Sequence, residues 1–123
     1  MAKERILIIE DNAMNMELFS DLLEDEGYLI LQAVNGKEGF NMAKSEIPDL
    51  ILLDSGLPDI GGVELVRKFK QYSITKNITL IVCSASTMKE EKKMIMNAGC
   101  DAFISKPIDT KEFVKTIARF LKN

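Results

Sequence analysis

Four short apolar runs, each ending in a polar side chain, constrain this chain more than any other feature. Ile6-Leu7-Ile8-Ile9 leads into Glu10-Asp11, Leu50-Ile51-Leu52-Leu53 into Asp54, Leu80-Ile81-Val82-Cys83 into Ser84, and Ala102-Phe103-Ile104-Ser105 into Lys106-Pro107. Strands of a parallel sheet are covered by helices on both faces, so they read as continuous apolar runs. In open α/β sheets, ligands bind beyond the carboxyl ends of the strands. The runs therefore predict three carboxylates, a hydroxyl and an amine gathered at one sheet edge.

The intervening segments carry helical spacing. Met14, Leu18, Phe19, Leu22 and Leu23 outline a first helix, which Gly27 closes in the left-handed position. Tyr28 to Leu31 reads as a second strand. Phe40 and Ala43 mark a helix from about Asn35 to before Pro48. Val63, Val66 and Phe69 give a third helix, followed by a polar loop from Gln71 to Asn77. Met88, Lys92, Ile95 and Ala98 outline a fourth helix ending at Gly99, with Met88, Met94 and Met96 read as packing and surface residues. Thr110 is expected to cap a last helix through Phe113, Val114, Ile117 and Leu121. Such alternation predicts an α/β fold, a five-stranded parallel sheet with helices on both faces. Right-handed crossovers favour the flavodoxin-like strand order 2-1-3-4-5. In that order Asp54 lies between Glu10-Asp11 and Ser84, and Lys106 reaches over from the fifth strand. A single domain over residues 1–123, with no effector domain, is expected.

Composition excludes several function classes. There is no histidine, so a Ser-His-Asp triad, histidine metal ligands and a phosphohistidine carrier are all ruled out. The net charge is -3 and no basic run exists, which removes the electrostatic drive for nucleic-acid binding. No apolar stretch approaches the roughly 20 residues that span a bilayer, and the start shows no signal peptide; a cytoplasmic protein with no membrane partner is expected. Cys83 and Cys100 form no CxxC pair and read as buried free thiols.

Three clustered carboxylates need compensating charge. Lys106 supplies one positive charge and a divalent cation two. Oxygen ligands without histidine or cysteine favour Mg²⁺ (or Mn²⁺). Asp54, at the centre, is the candidate nucleophile, because a carboxylate can attack phosphorus and hold an aspartyl phosphate. The cation and Lys106 would neutralise the phosphoryl oxygens, and Ser84 could donate a hydrogen bond to one of them.

These residues together resemble a two-component response-regulator receiver domain. The matching pieces are Glu10-Asp11 with Asn12 and Asn15, Asp54 with Leu57-Pro58 and Gly62, Ser84-Ala85, and Lys106-Pro107. They cover essentially the whole chain. The stretch around the acidic pair is similar to stand-alone cell-division receivers and to the receivers of hybrid histidine kinases. The resemblance implies that Asp54 accepts phosphoryl from a phosphohistidine on a sensor histidine kinase or histidine phosphotransfer protein. It implies that Asp11 binds Mg²⁺ directly, Glu10 through water, and that Asp54 and the Gly56 carbonyl complete the protein ligands. Lys106 would contact the phosphoryl group, and Ser84 and Phe103 would be the switch hydroxyl and switch aromatic. Pro107 would follow a cis bond. Phosphorylation would then change the face formed by the fourth helix, fifth strand and fifth helix, which would bind a downstream protein target. The alternative is a hybrid-kinase receiver or a phosphorelay intermediate that passes phosphoryl onward. Departures from the family's commonest pattern are Glu10 for Asp, Leu57 for Met, Ser84 for Thr, Phe103 for Tyr, and Gly61-Gly62 for Asp-Gly, which adds freedom at the third helix start. With small Gly56 and Ser86 beside the acceptor, self-dephosphorylation is expected; beyond that self-chemistry, no enzyme is expected. A metal-dependent phosphohydrolase would want an acid at Gly56, and a flavin module a hydroxyl- and glycine-lined loop where Glu10-Asp11 stands.

Overall fold

A computed structural model describes residues 3–86 and 88–121. The ends of the expected 1–123 domain span, and Thr87, lie outside the described residues. Strands and helices alternate as β1 (Arg5–Ile9), α1 (Ala13–Asp25), β2 (Leu29–Ala33), α2 (Gly36–Glu46), β3 (Leu50–Asp54), α3 (Gly62–Gln71), β4 (Thr79–Ser84), α4 (Lys89–Ala98), β5 (Ala102–Ser105) and α5 (Thr110–Leu121). The strands form one parallel sheet in the order β2-β1-β3-β4-β5, as the apolar runs and crossover rules predict.

The period-two alternation of each strand divides the core in two. Leu7, Ile9, Ile51, Leu53, Leu80 and Val82 pack beneath Phe40, Leu65, Phe69 and Ile95 of α2, α3 and α4. Ile6, Ile8, Leu50, Leu52, Ile81 and Cys83 pack against Met16, Phe19 and Leu23 of α1 and against Phe113 and Ile117 of α5. The central strands are buried on both faces, whereas the edge strands β2 and β5 are mostly half-exposed. Among the described residues, no helix is long and apolar enough to cross a membrane. Both cysteines are buried free thiols, and burial pushes the Cys83 thiol up to about 12.

Some local expectations are corrected. Leu18 does not join the core of α1; it is 41% exposed, as Met14 is at 82%, the latter on the surface beside the acidic pair, while Met16 takes the inner position. The cause is phase: Asn12 caps α1 by accepting from the Asn15 N–H at 2.9 Å, and the inward stripe then runs through Met16, Phe19, Ser20 and Leu23. At α5 the capping side chain is Asp109, which accepts from the Lys111 and Glu112 N–H groups at 3.0 and 3.1 Å, rather than Thr110. In α4 only Ile95 is buried; Met88, Met94 and Met96 are exposed. The polar loop after α3 is pinned by buried Thr75, whose hydroxyl donates to the Phe69 carbonyl at 2.6 Å. Gly27 adopts φ 95°, the left-handed position expected of it.

Candidate acidic and phosphoryl site

The strand order carries the site. Because β3 lies between β1 and β4, the residue ending β3 faces those that follow β1. One ligand oxygen each from Glu10, Asp11 and Asp54 lies within 4.8 Å of the other two. Lys106, next after β5, places its Nζ 3.1 Å from Glu10 Oε1 and 3.2 Å from Asp54 Oδ1. Glu10 is 1% exposed and Asp54 9%, while Asp11 is open to solvent.

Each group has a distinct environment. Both oxygens of Glu10 are engaged, one by Lys106 and the other by the Asn12 N–H at 3.1 Å. Burial pushes its carboxyl above the ordinary value; the Asn12 N–H draws it partly back, and the charge of Asp54 pushes it up again. For Lys106, burial works against the charged form. The hydrogen bond to Glu10 and the charges of Asp54 and Glu10 outweigh it and hold the ammonium above the ordinary lysine value. Asp54 Oδ1 also accepts a long hydrogen bond, 3.3 Å, from the Gly56 N–H. A methyl group built on Gly56 would lie 3.8 Å from Asp54 Oδ2, so a side chain there would wall one flank of the carboxylate.

The structure thus brings together Glu10, Asp11, Asp54, Gly56 and Lys106. It does not bring Ser84 into that hydrogen-bonded group. Ser84 is 1% exposed, its hydroxyl accepts from the Ser86 N–H at 3.1 Å, and its carbonyl accepts from the Lys106 N–H at 2.8 Å. Asp54 pairs in register with Cys83, which leaves Ser84 one step beyond the acceptor. Phe103 is half-buried opposite Val82, with the Lys92 Nζ 5.4 Å from its ring centroid. Alternation puts Ser84, Val82 and Phe103 on the α4 side of the sheet. The Lys106-Pro107 bond is cis, as expected.

Sequence reasoning missed Asp59. Its carboxylate accepts from the Gly36 and Lys37 N–H groups at 2.8 and 2.9 Å and ties the loop after Asp54 to the start of α2. No local pattern signals this, because the partners lie more than twenty residues away. Gly62 likewise is needed for room rather than for the conformational freedom expected of it: its φ is ordinary, and an added Cβ would approach the Ser55 Cβ at 3.0 Å. The N–H donors hold the Asp59 carboxyl below its ordinary value. A depressed carboxyl contributes stability above its unfolded pKa and loses it as pH falls through the folded one. Asp59→Ala is therefore expected to lower the melting temperature at neutral pH, with the difference from the parent chain closing on acidification. A constant difference across the carboxylate range in thermal melts would contradict this role.

Comparisons with known proteins agree with the fold. The chain is 40% identical over 116 residues to the polar-differentiation response regulator DivK of Brucella anthropi, covering 94% of each protein. The DivK of Brucella ovis is 39% identical over the same length. Among solved structures, a CheY-like response regulator receiver domain protein from Methanospirillum hungatei superposes with a TM-score of 0.91 at 30% identity, covering 98% of this chain and 94% of that one. The receiver domain of a Pseudomonas aeruginosa sensor histidine kinase, solved with magnesium coordinated in its active-site cleft, matches in fold with a TM-score of 0.89 at 23% identity, over 98% of each chain. The family model for the response regulator receiver domain matches residues 6–118, the span that holds all of the sheet but Arg5, the acidic trio and Lys106, and the chain belongs to that family.

Proposed function

We propose that this receiver domain is a phosphorylation-controlled switch in which Asp54 is the acceptor. The observation that carries the reading is the clustering of three carboxylates beside a single lysine that contacts two of them, with Asp54 central and 9% exposed. One ammonium cannot balance three carboxylates, and the all-oxygen donor set suits Mg²⁺ or Mn²⁺. Asp11, Asp54 and the Gly56 carbonyl would hold the cation, with Glu10 acting through water because its own oxygens are already engaged. The bound cation would neutralise phosphoryl charge and align the incoming group.

Asp54 would attack the phosphorus of a phosphohistidine on a sensor histidine kinase or histidine phosphotransfer protein. The new bond is carboxylate oxygen to phosphorus; the phosphorus–nitrogen bond breaks and the imidazole leaves. Lys106 would follow the transferred charge, exchanging its contact with Asp54 for one with a phosphoryl oxygen. A partly apolar cavity of about 540 Å³ beside Lys106, walled by Leu18, Phe19, Pro107 and Ile108, supports docking of the donor protein there. Exposed Met14 and Leu18 extend that surface along α1.

Phosphorylation would draw the Ser84 hydroxyl from Ser86 toward the phosphoryl oxygens. That movement opens space behind β4 into which Phe103 turns, trading its Lys92 contact for burial. The readout is a population shift of the α4-β5-α5 face toward a downstream protein target. The domain would catalyse only its own phosphorylation and dephosphorylation and would turn over no other substrate.

The test is incubation with acetyl phosphate, with Mg²⁺ or with EDTA, read by intact mass. One phosphoryl group is expected with the metal and none without it, decaying once the donor is removed. Equal uptake in EDTA would overturn the mechanism, and a phosphoprotein stable for many hours in Mg²⁺ would contradict the self-dephosphorylation.

A further inference from the structure

A second charged concavity lies away from the acceptor, between α2 and α3. It encloses about 460 Å³, within the range of cavities that hold a small ligand. Its lining includes Lys37 and Lys44 of α2 and Lys68 of α3, against a single carboxylate, Asp59, which is already committed to the α2 backbone. The groove is thus net positive on a chain whose net charge is -3. The lysine placement is specific. Lys44 Nζ lies 5.0 Å and Lys68 Nζ 4.5 Å from the centroid of the same buried ring, Phe40. Lys44 Nζ also lies 5.6 Å from the Tyr72 ring centroid; two ammonium groups that both contact Phe40 repel each other, and among the described residues none of the three lysines makes a salt bridge. Cation–π attraction offsets only part of that repulsion. A multiply charged anion bridging them would remove it.

We propose that this groove binds a soluble phosphate-bearing small molecule, its phosphates spanning Lys44 and Lys68 and its remainder lying toward Lys37 and Ile60. A concave site of this volume favours a compact ligand over a flat membrane or an extended acidic peptide. The inference is independent of phosphoryl acceptance at Asp54, whose carboxylate does not line the groove.

The test is an amide-shift titration of the folded chain with pyrophosphate in EDTA, which keeps metal from the acceptor site. Saturable shifts are expected at Lys37, Asn41, Lys44 and Lys68, with Ser84 and Lys106 still. Lys44→Ala/Lys68→Ala should weaken binding at least tenfold, whereas Lys111→Ala/Lys115→Ala on α5 should leave it unchanged. All four positions are exposed or half-exposed, so the variants should melt close to the parent chain. Shifts confined to the Asp54–Lys106 region would overturn the proposal, as would equal shifts in the α2-α3 variant. Co-sedimentation with phosphatidylglycerol vesicles, or binding of an oligoglutamate, without any pyrophosphate response would also overturn it in favour of a macromolecular partner.

Discussion

Asp54→Asn is expected to take up no phosphoryl group from acetyl phosphate and Mg²⁺ under conditions in which the parent chain gains one. The amide is nearly the same size, so the fold and the contact with Lys106 should survive, but it lacks the anionic oxygen that attacks phosphorus. The variant also discriminates among the carboxylates, because Glu10 and Asp11 stay within a few ångströms. Glu10 is a poor acceptor: it is buried, and its two oxygens are held by Lys106 and the Asn12 N–H. Asp11 is exposed, and its negative charge is worth most to the pocket as a cation ligand. Intact mass before and after incubation decides the matter. Undiminished uptake would move the acceptor to Asp11, which Asp11→Asn would then abolish.

The second large effect is on stability. Phe113→Ala should destabilise the fold by about 3–5 kcal/mol, as large-to-small changes of buried aromatics do. Small domains commonly have only about 5–15 kcal/mol in total. Phe113 is 1% exposed and stacks on Phe19 with ring centroids 5.2 Å apart. The loss therefore includes the direct burial and the pairing, which is worth roughly 0.5–1.5 kcal/mol in similar cases. Phe19 in turn lies under Lys106, whose Nζ is 5.9 Å from the ring centroid. The same variant should therefore loosen the lysine as well as the core. Urea unfolding gives the number; a change below about 1 kcal/mol would mean that α1 and α5 collapse onto the cavity without loss.

What could be read without coordinates followed from local rules. Apolar runs of four residues named β1, β3, β4 and β5, and crossover handedness limited their order. The ends of β1, β3, β4 and β5 carried the functional residues and β2 carried none, so the strand order predicted that Glu10, Asp11, Asp54 and Lys106 would converge. Gly27 was legible because only its backbone freedom suits the turn it makes. The absence of histidine was legible as composition, and it fixed which chemistries the pocket lacks.

Other features depended on contacts between distant segments. Helical spacing gave α1 its existence but not its phase. Met14 and Leu18 fit the periodic pattern as well as Met16 does, and only the Asn12 cap and the β1–β3 surface turned Met16 inward. Asp59 shows no sequence signature and the physical role of Gly62 was misread, because what matters is what they meet: the α2 backbone and Ser55. The same holds for Ser84, whose hydroxyl belongs in this state to the Ser86 N–H rather than to Asp54. The sheet, its order and the chemistry of its edge follow from residue type and spacing along the chain. Helix phase, the docking of the β3–α3 loop and the convergence of Lys44 and Lys68 on Phe40 come from packing between segments that no local pattern encodes.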